Sequence, residues 1–119
     1  MKIGIIGAGK VGCSIGKYLT EHGFSVAGYC SKSKKSVEEA ATFTNTKAYD
    51  SLAELVAEST ILFLTTPDGA LESVWNELKK ESIQNKIVCH FSGSLSSDQF
   101  QGIEKTRAYG LSIHPMLAF

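Results

Sequence analysis

The chain has 119 residues, with 12 Lys and Arg balanced by 12 Asp and Glu, 43% hydrophobic residues and 20% charged residues. This length is typical of a single globular domain, and a formal net charge of zero provides no overall attraction to nucleic acid or to an anionic membrane. No apolar run approaches the roughly 20 residues of a membrane span, and the glycine-rich N-terminus does not resemble a signal peptide, so we expect a cytoplasmic protein.

Three cysteines, Cys13, Cys30 and Cys89, make an odd number and have no metal-ligand spacing. We therefore expect no metal site and interpret these residues as reduced, mostly buried thiols rather than as redox centres.

The chain alternates short apolar runs with segments of helical periodicity, which is typical of βαβ units and a parallel sheet. The elements predicted for the first half are a strand over 2–6, a helix over 11–22 stopped by Gly23, a strand over 25–30, a short helix over 36–44 capped by Ser36, and a weak strand over 48–49. The second half is predicted to contain a helix from 52 capped by Asp50 or Ser51, strands over 60–65, 86–91 and 107–113, a helix over 70–80 and a short helix over 96–101. These elements predict a three-layer, doubly wound α/β fold: a mostly parallel sheet of about six strands with helices on both faces.

A glycine-rich loop, Gly7-Ala8-Gly9-Lys10-Val11-Gly12, follows the first predicted strand and opens the first helix. This context supports its interpretation as a dinucleotide-binding G-x-G-x-x-G motif. Gly7 would allow the tight turn, Gly9 would let the backbone approach a pyrophosphate, and Gly12 would let the helix pack close to the strand. The alternative is a glycine turn that binds no ligand.

The segment after the second strand, Ser31-Lys32-Ser33, lies where an NAD-binding protein usually carries an acid, about 20 residues past the glycines. An acid there would bind the adenosine ribose hydroxyls and repel a 2′-phosphate, whereas two hydroxyls and an ammonium would favour the phosphate. We therefore predict NADP, with NAD as the alternative cofactor. The other interpretation is a solvated lysine loop, which is also our reading of Lys34 and Lys35.

The loop after the fourth strand contains Thr66 and Pro67, which are placed to pass over the nicotinamide ribose. Pro67 fixes the turn, and the Thr66 hydroxyl could bind ribose or amide. Asp68 is expected to cap the next helix.

The loop after the fifth strand contains Ser92 and Gly93, which are predicted to lie near the point where a substrate meets nicotinamide. A serine-hydrolase interpretation is disfavoured because the G-x-S-x-G elbow and a triad order are missing. His90 falls inside a strand and is expected to be a core histidine, and His22 ends the first helix. His114 ends the last strand, and its catalytic and structural interpretations both remain open.

Four segments together, GIIGAGKVG, TTPD, HFSGSLSS and YGLSIHPMLAF, resemble the N-terminal Rossmann domain of a family of oxidoreductases that carry a C-terminal helical domain of unknown function 2520. That family is similar to pyrroline-5-carboxylate reductases, ketopantoate reductases and the 6-phosphogluconate and 3-hydroxyisobutyrate dehydrogenases. The resemblance covers essentially the whole chain, residues 1–119, as one dinucleotide-binding domain. The helical domain, which supplies much of the substrate pocket and usually the dimer interface in those families, is expected to be absent, so we expect part of a longer protein.

The resemblance implies an NADP-type site in which Gly7, Gly9 and Gly12 hold the pyrophosphate and Ser31 to Ser33 the adenosine end. Ser92, Gly93 and His114 would face the substrate, with Ser92 and His114 as the catalytic candidates. The expected function is hydride transfer between nicotinamide and a small carbonyl, imine or alcohol, with a homo-oligomer as a possible assembly.

Two alternatives of other classes remain: a non-catalytic NAD(P)-binding sensor or scaffold module, and a domain for another adenosine ligand such as S-adenosylmethionine. A loop suited to pyrophosphate disfavours the second, because that ligand has no phosphates.

Overall fold

A computed structural model describes residues 1–91 and 100–113, without the side chain of Asp68. Its elements in chain order are β1 (Ile3–Ile6), α1 (Lys10–Glu21), β2 (Val26–Cys30), α2 (Lys34–Thr44), β3 (Lys47–Ala48), α3 (Leu52–Glu58), β4 (Ile61–Leu64), α4 (Asp68–Leu78), β5 (Ile87–His90), α5 (Ile103–Thr106) and β6 (Tyr109–Ser112). No helix in these ranges has the length and apolar character needed to cross a membrane.

The six strands form one parallel sheet in the order β3-β2-β1-β4-β5-β6. From β1 in the centre of the sheet, β2 and β3 are added towards one edge. The chain then returns to the centre, and β4, β5 and β6 are added towards the other edge. The direction therefore reverses between β1 and β4, and this switch point is where ligands bind in open α/β sheets, at the carboxyl ends of the strands.

Helices cover both faces of the sheet, because alternate residues of each central strand point to opposite sides. On one face, Ile3 and Ile5 of β1 pack with Tyr29 of β2 and with Val37 and Ala40 of α2. On the other face, the larger cluster combines strand residues with α3 and α4 and contains Ile6, Leu62, Leu64, Val88, Leu55, Val56, Leu71, Trp75 and Leu78. The three-layer doubly wound fold predicted from the sequence is confirmed.

Two predicted helix starts are corrected. α2 begins at Lys34, and Ser33 rather than Ser36 is its N-cap, because the Ser33 hydroxyl accepts a hydrogen bond from the Ser36 N–H at 3.3 Å. α4 begins at Asp68, so Asp68 is its first helical residue and not its cap. The extended Pro67 occupies the N-cap position, and its carbonyl accepts from the Ala70 N–H at 2.9 Å.

For α3, the sequence left Asp50 and Ser51 as alternatives, and the structure selects Ser51, whose hydroxyl accepts from the Glu54 N–H at 3.2 Å. The predicted helix over 96–101 falls mainly outside the described residues, and the described Phe100 and Gln101 are not helical. Instead, a short helix that the sequence did not predict, α5, precedes β6.

Candidate functional site

The glycine loop connects β1 to α1 at the switch point of the sheet. Gly7 has φ +111°, a conformation that favours glycine, and its N–H donates to the Cys30 carbonyl at 2.9 Å. Gly9 occupies the N-cap of α1 and no side chain caps the helix. The first intrahelical bond runs from the Cys13 N–H to the Gly9 carbonyl, so the preceding amides of the first turn have no acceptor inside the helix. The loop thus presents the positive end of a 12-residue helix dipole.

Two glycines of this loop differ in the space around them. A Cβ on Gly12 would overlap the Gly7 carbonyl and lie 2.7 Å from the Thr65 hydroxyl, so Gly12 allows α1 to pack tightly against the loop and the end of β4. A Cβ on Gly9 would meet no heavy atom within 4 Å. The backbone at Gly9 is therefore open to the approach of a ligand.

A first cleft of about 390 Å³ opens beside the loop at the carboxyl ends of β1 and β4. Its lining consists of Gly7, Ala8, Gly9, Lys10, Val11, Ser31, Ser36, Leu64, Thr65, Thr66, Pro67 and Phe91. Among these described lining residues, Lys10 is the only one with a charged side chain, so the cleft suits an anionic ligand.

A second cleft, of about 360 Å³, lies between the end of β2 and α4. It is lined by Ile6, Gly7, Cys30, Ser31, Lys32, Leu52, Thr66, Pro67, Ala70, Ser73, Val74 and Glu77. Four residues, Gly7, Ser31, Thr66 and Pro67, belong to both clefts. The two cavities are therefore adjacent, and an extended ligand could occupy both while passing the glycine loop.

The three predicted residues after β2 have different environments. Ser31 lines both clefts, and Lys32 lines the second cleft and forms no ion pair with any described carboxylate. Ser33 lines neither cleft: its hydroxyl caps α2 and donates to the Ser36 hydroxyl at 3.0 Å. Ser36, which the sequence analysis treated only as a cap, instead lines the first cleft.

Thr66 has an unsatisfied polar group. Its Oγ1 is buried and has no hydrogen-bond partner among the described residues. A buried hydroxyl without a partner costs about 1–3 kcal/mol. Because Thr66 lines both clefts, this hydroxyl is a candidate hydrogen-bonding group for a ligand bound there.

The three thiols all remain protonated at neutral pH. Burial is the main cause that raises the pKa of each, to about 11 for Cys89. Cys30 and Cys89 are buried and Cys13 is half-buried, and none of the three forms a disulfide. The expectation that the cysteines are mostly buried is confirmed.

Two of the three histidines lie in the described part of the chain. His90 is fully buried in β5 with its ring 5.3 Å from that of Phe100, which confirms the expected core histidine. His22 follows α1, where its Nδ1 lies 2.7 Å from the Tyr18 carbonyl. Ser92, Gly93 and His114 lie outside the described residues, so their roles stay predictions.

The sequence analysis missed several residues that line the clefts. Phe91 follows β5 and packs edge to face on Phe63, with the ring centroids 4.9 Å apart. One face of α4 also lines the second cleft, through Ser73, Val74 and Glu77. The helical spacing of these α4 residues was visible in the sequence, but no local signal showed that this face meets the end of β2.

The fold and the open glycine loop are typical of dinucleotide-binding domains, and a comparison with protein families agrees with this class. The chain belongs to the Rossmann-like domain family, whose model matches residues 1–115. A search of curated proteins gives no match.

Among solved structures, a Bacteroides fragilis protein assigned as an NADP oxidoreductase is similar, with a TM-score of 0.84, 21% identity, and coverage of 99% of this chain and 45% of that one. Synechocystis arogenate dehydrogenase has a TM-score of 0.82 and 22% identity over 100% of this chain and 42% of that one. The imine reductase of Myxococcus stipitatus in complex with NADP+ has a TM-score of 0.79 and 18% identity over 99% of this chain and 42% of that one. A variant of this imine reductase is in complex with NAD+. The chain thus spans less than half the length of these structures.

Proposed function

We propose that this chain is the cofactor-binding domain of an NADP-preferring oxidoreductase that reduces a small carbonyl or imine or oxidises a small alcohol. The observation that carries the proposal is the open backbone at Gly9, at the uncapped N-terminus of α1 and next to two adjoining clefts. The similar solved structures support it, since one is assigned as an NADP oxidoreductase and another is an imine reductase in complex with NADP+.

The glycine loop would bind the pyrophosphate at the middle of a dinucleotide. The amides of the first turn of α1 would donate to the pyrophosphate, and the helix dipole and the Lys10 ammonium would favour its charge. Gly9 leaves room for the phosphate oxygens to reach the backbone. The Thr66 hydroxyl, unsatisfied within the described part of the chain, would gain a ribose or phosphate partner.

The end of β2 would hold the adenosine end and select NADP. Lys32 lines the second cleft and would bring an ammonium to it, and Ser31 lines both clefts while its hydroxyl accepts from the Ser33 N–H at 3.3 Å. α2 begins at Lys34, two residues after Lys32, so the first amides of a second helix would also favour a 2′-phosphate. Because Ser33 caps α2, its contribution is to hold that helix start in place rather than to bind the phosphate through its hydroxyl.

The first cleft would hold the nicotinamide end. Thr66 and Pro67 line it at the end of β4, and Phe91 gives it an apolar wall at the end of β5. When bound, the cofactor supplies or accepts a hydride at nicotinamide C4. The protein would orient the ring and exclude water from it, and Ser92 and His114 remain the candidates to position the substrate and donate or accept a proton.

Replacement of Gly9 by Ala tests the proposal. The added methyl group meets no protein atom, and Gly9 has an extended conformation with φ −82° that alanine adopts freely, so the fold should be unaffected. The methyl group would occupy the space through which phosphate oxygens approach the backbone, and we expect NADPH binding to weaken by at least about tenfold.

The matched control is Gly69→Ala in α4, where an added Cβ also meets nothing and the residue lines neither cleft. Calorimetric titration with NADPH should give wild-type affinity for Gly69→Ala and a clear loss for Gly9→Ala. Failure of the wild-type chain to bind NADPH or NADH would refute the proposed function.

A further inference from the structure

Two consecutive residues of β2 hold the two ends of the glycine loop. The Cys30 carbonyl accepts a hydrogen bond from the Gly7 N–H at 2.9 Å, which fixes the beginning of the loop. The Tyr29 hydroxyl donates to the Gly12 carbonyl at 2.8 Å, in the first turn of α1, which fixes its end. Only the part between these contacts, around Gly9, is open to a ligand.

The second of these contacts depends on close packing between α1 and the sheet. Tyr29 is fully buried beneath the helix, and a Cβ on Gly16, one turn after Gly12, would overlap its hydroxyl. The two glycines lie four residues apart and therefore share the face of α1 that meets β2. The phenol is thus a spacer that sets how closely the start of α1 approaches the sheet.

The environment of the phenol keeps this spacer neutral and in place. Burial raises the pKa of Tyr29 well above its usual value, and an interaction with the Thr44 hydroxyl opposes part of that rise. Thr44, at the end of α2, donates to the Ala40 carbonyl at 2.8 Å and lies 2.9 Å from the Thr46 hydroxyl. The hydrogen bond to the Gly12 carbonyl is thus the contact that holds the Tyr29 hydroxyl in place.

We propose that Tyr29 is a positioning residue for the anion-binding loop: its hydroxyl, bonded to the Gly12 carbonyl, aligns the free amides of α1 with a ligand pyrophosphate that it never touches. This inference rests on the proposed dinucleotide-binding function. It implies that Tyr29 acts on the pyrophosphate-binding part of the site alone, and that affinity for groups at the adenosine end does not depend on it.

The test is Tyr29→Phe, which keeps the ring and removes only the hydroxyl. Affinities for NADPH and for NADH should fall by the same factor, about tenfold, because one buried hydrogen bond is lost and the loop is free to shift. The affinity for 2′-AMP, which carries no pyrophosphate, should stay within about twofold of wild type.

The matched control is Ser59→Ala. Ser59 is also a buried hydroxyl that donates to a helical carbonyl, that of Leu55 at 2.7 Å, but it follows α3 and lies against Gly4, away from the glycine loop. Ser59→Ala should lower the free energy of unfolding and leave all three affinities unchanged. Unchanged NADPH affinity in Tyr29→Phe, or an equal loss for 2′-AMP, would overturn the proposal.

Amide hydrogen exchange in the ligand-free protein separates this inference from the proposed function. Tyr29→Phe should increase exchange by about tenfold at the Cys13 amide, which closes the first turn of α1 by donating to the Gly9 carbonyl, whereas Ser59→Ala should not. A wild-type chain that binds no dinucleotide but shows this change would refute the proposed function and retain the structural role of Tyr29. Unchanged exchange would refute the positioning role whatever the ligand.

Discussion

At the scale of single residues, Ser31 and Lys32 differ from Ser33 and Lys34 because they line the two clefts beside the glycine loop. Lys34 points to Asp50 in an exposed ion pair with N and O 4.0 Å apart, an arrangement that typically stabilises little. The Ser33 hydroxyl is engaged in capping. The residues that could choose between cofactors are therefore the two that line the clefts.

We expect Lys32→Asp to reverse the cofactor preference. The carboxylate would repel a 2′-phosphate and accept hydrogen bonds from free ribose hydroxyls, so the ratio of NADPH to NADH affinity should fall by about a hundredfold. Fluorescence titration of the reduced cofactors measures both affinities directly.

Lys35→Asp is the control, because Lys35 lies nearby but lines neither cleft. It should weaken NADPH binding only slightly, and added salt should abolish the effect. A wild-type protein that already prefers NADH, or a Lys32→Asp variant with an unchanged ratio, would contradict the assignment of the 2′-phosphate site.

At the scale of elements, the sequence predicted the six strands, their positions along the chain and a mostly parallel sheet. These features were visible because the apolar runs of the strands are continuous and the helices between them have clear periodicity. The start of α2 was misplaced because Ser33 and Ser36 are both good N-caps three residues apart, and local preference does not choose between them. The second cleft was not foreseen, since the contact of α4 with the end of β2 depends on sheet order rather than on local sequence. The hydrogen bond from Tyr29 to Gly12 was missed for a similar reason: it depends on the depth of packing between α1 and β2.

The packing of α1 on β2 gives a prediction for the helix as a whole. Gly16→Ala would place a methyl group on the Tyr29 hydroxyl and force the two elements apart, so we expect a loss of about 1–3 kcal/mol in the free energy of unfolding. Binding of NADPH should weaken in the same variant, because the start of α1 moves with the helix.

The double variant Gly16→Ala, Tyr29→Phe should regain part of the stability lost in Gly16→Ala, because Phe removes the atom that the new methyl group overlaps. Recovery is only partial since the ring carbon that bears the hydroxyl lies 2.9 Å from the same position. Urea unfolding of the four proteins of this cycle measures the coupling. Strictly additive losses in the free energy of unfolding would show that Gly16 and the Tyr29 hydroxyl are not in energetic contact.

At the scale of the whole molecule, the buried thiols link stability to alkaline pH. Burial raises the pKa of Cys89 from 9.0 to about 11, so the folded protein retains a proton that the unfolded chain releases above pH 9. The stability contributed by the protonated thiol is fully present below pH 9 and is lost as the pH rises through 11.

Cys89→Ala removes this dependence. The free energy of unfolding of the wild-type protein should fall by about 2 kcal/mol more than that of Cys89→Ala between pH 8 and pH 11. Guanidinium unfolding across this range measures the difference. Parallel curves for the two proteins would mean that the thiol is accessible to water in the folded state.

The order of the strands also has a consequence for the protein during its synthesis. The complete glycine motif leaves the ribosome well before β4, but the Gly7 carbonyl is held by the Thr65 hydroxyl, 58 residues later, and β1 is paired on both sides only after β4 has been made. Parallel pairing across such a separation forms slowly. A nascent chain would therefore carry the whole recognition signature long before it could hold a nucleotide, and ligand could assist folding only after translation has passed β4.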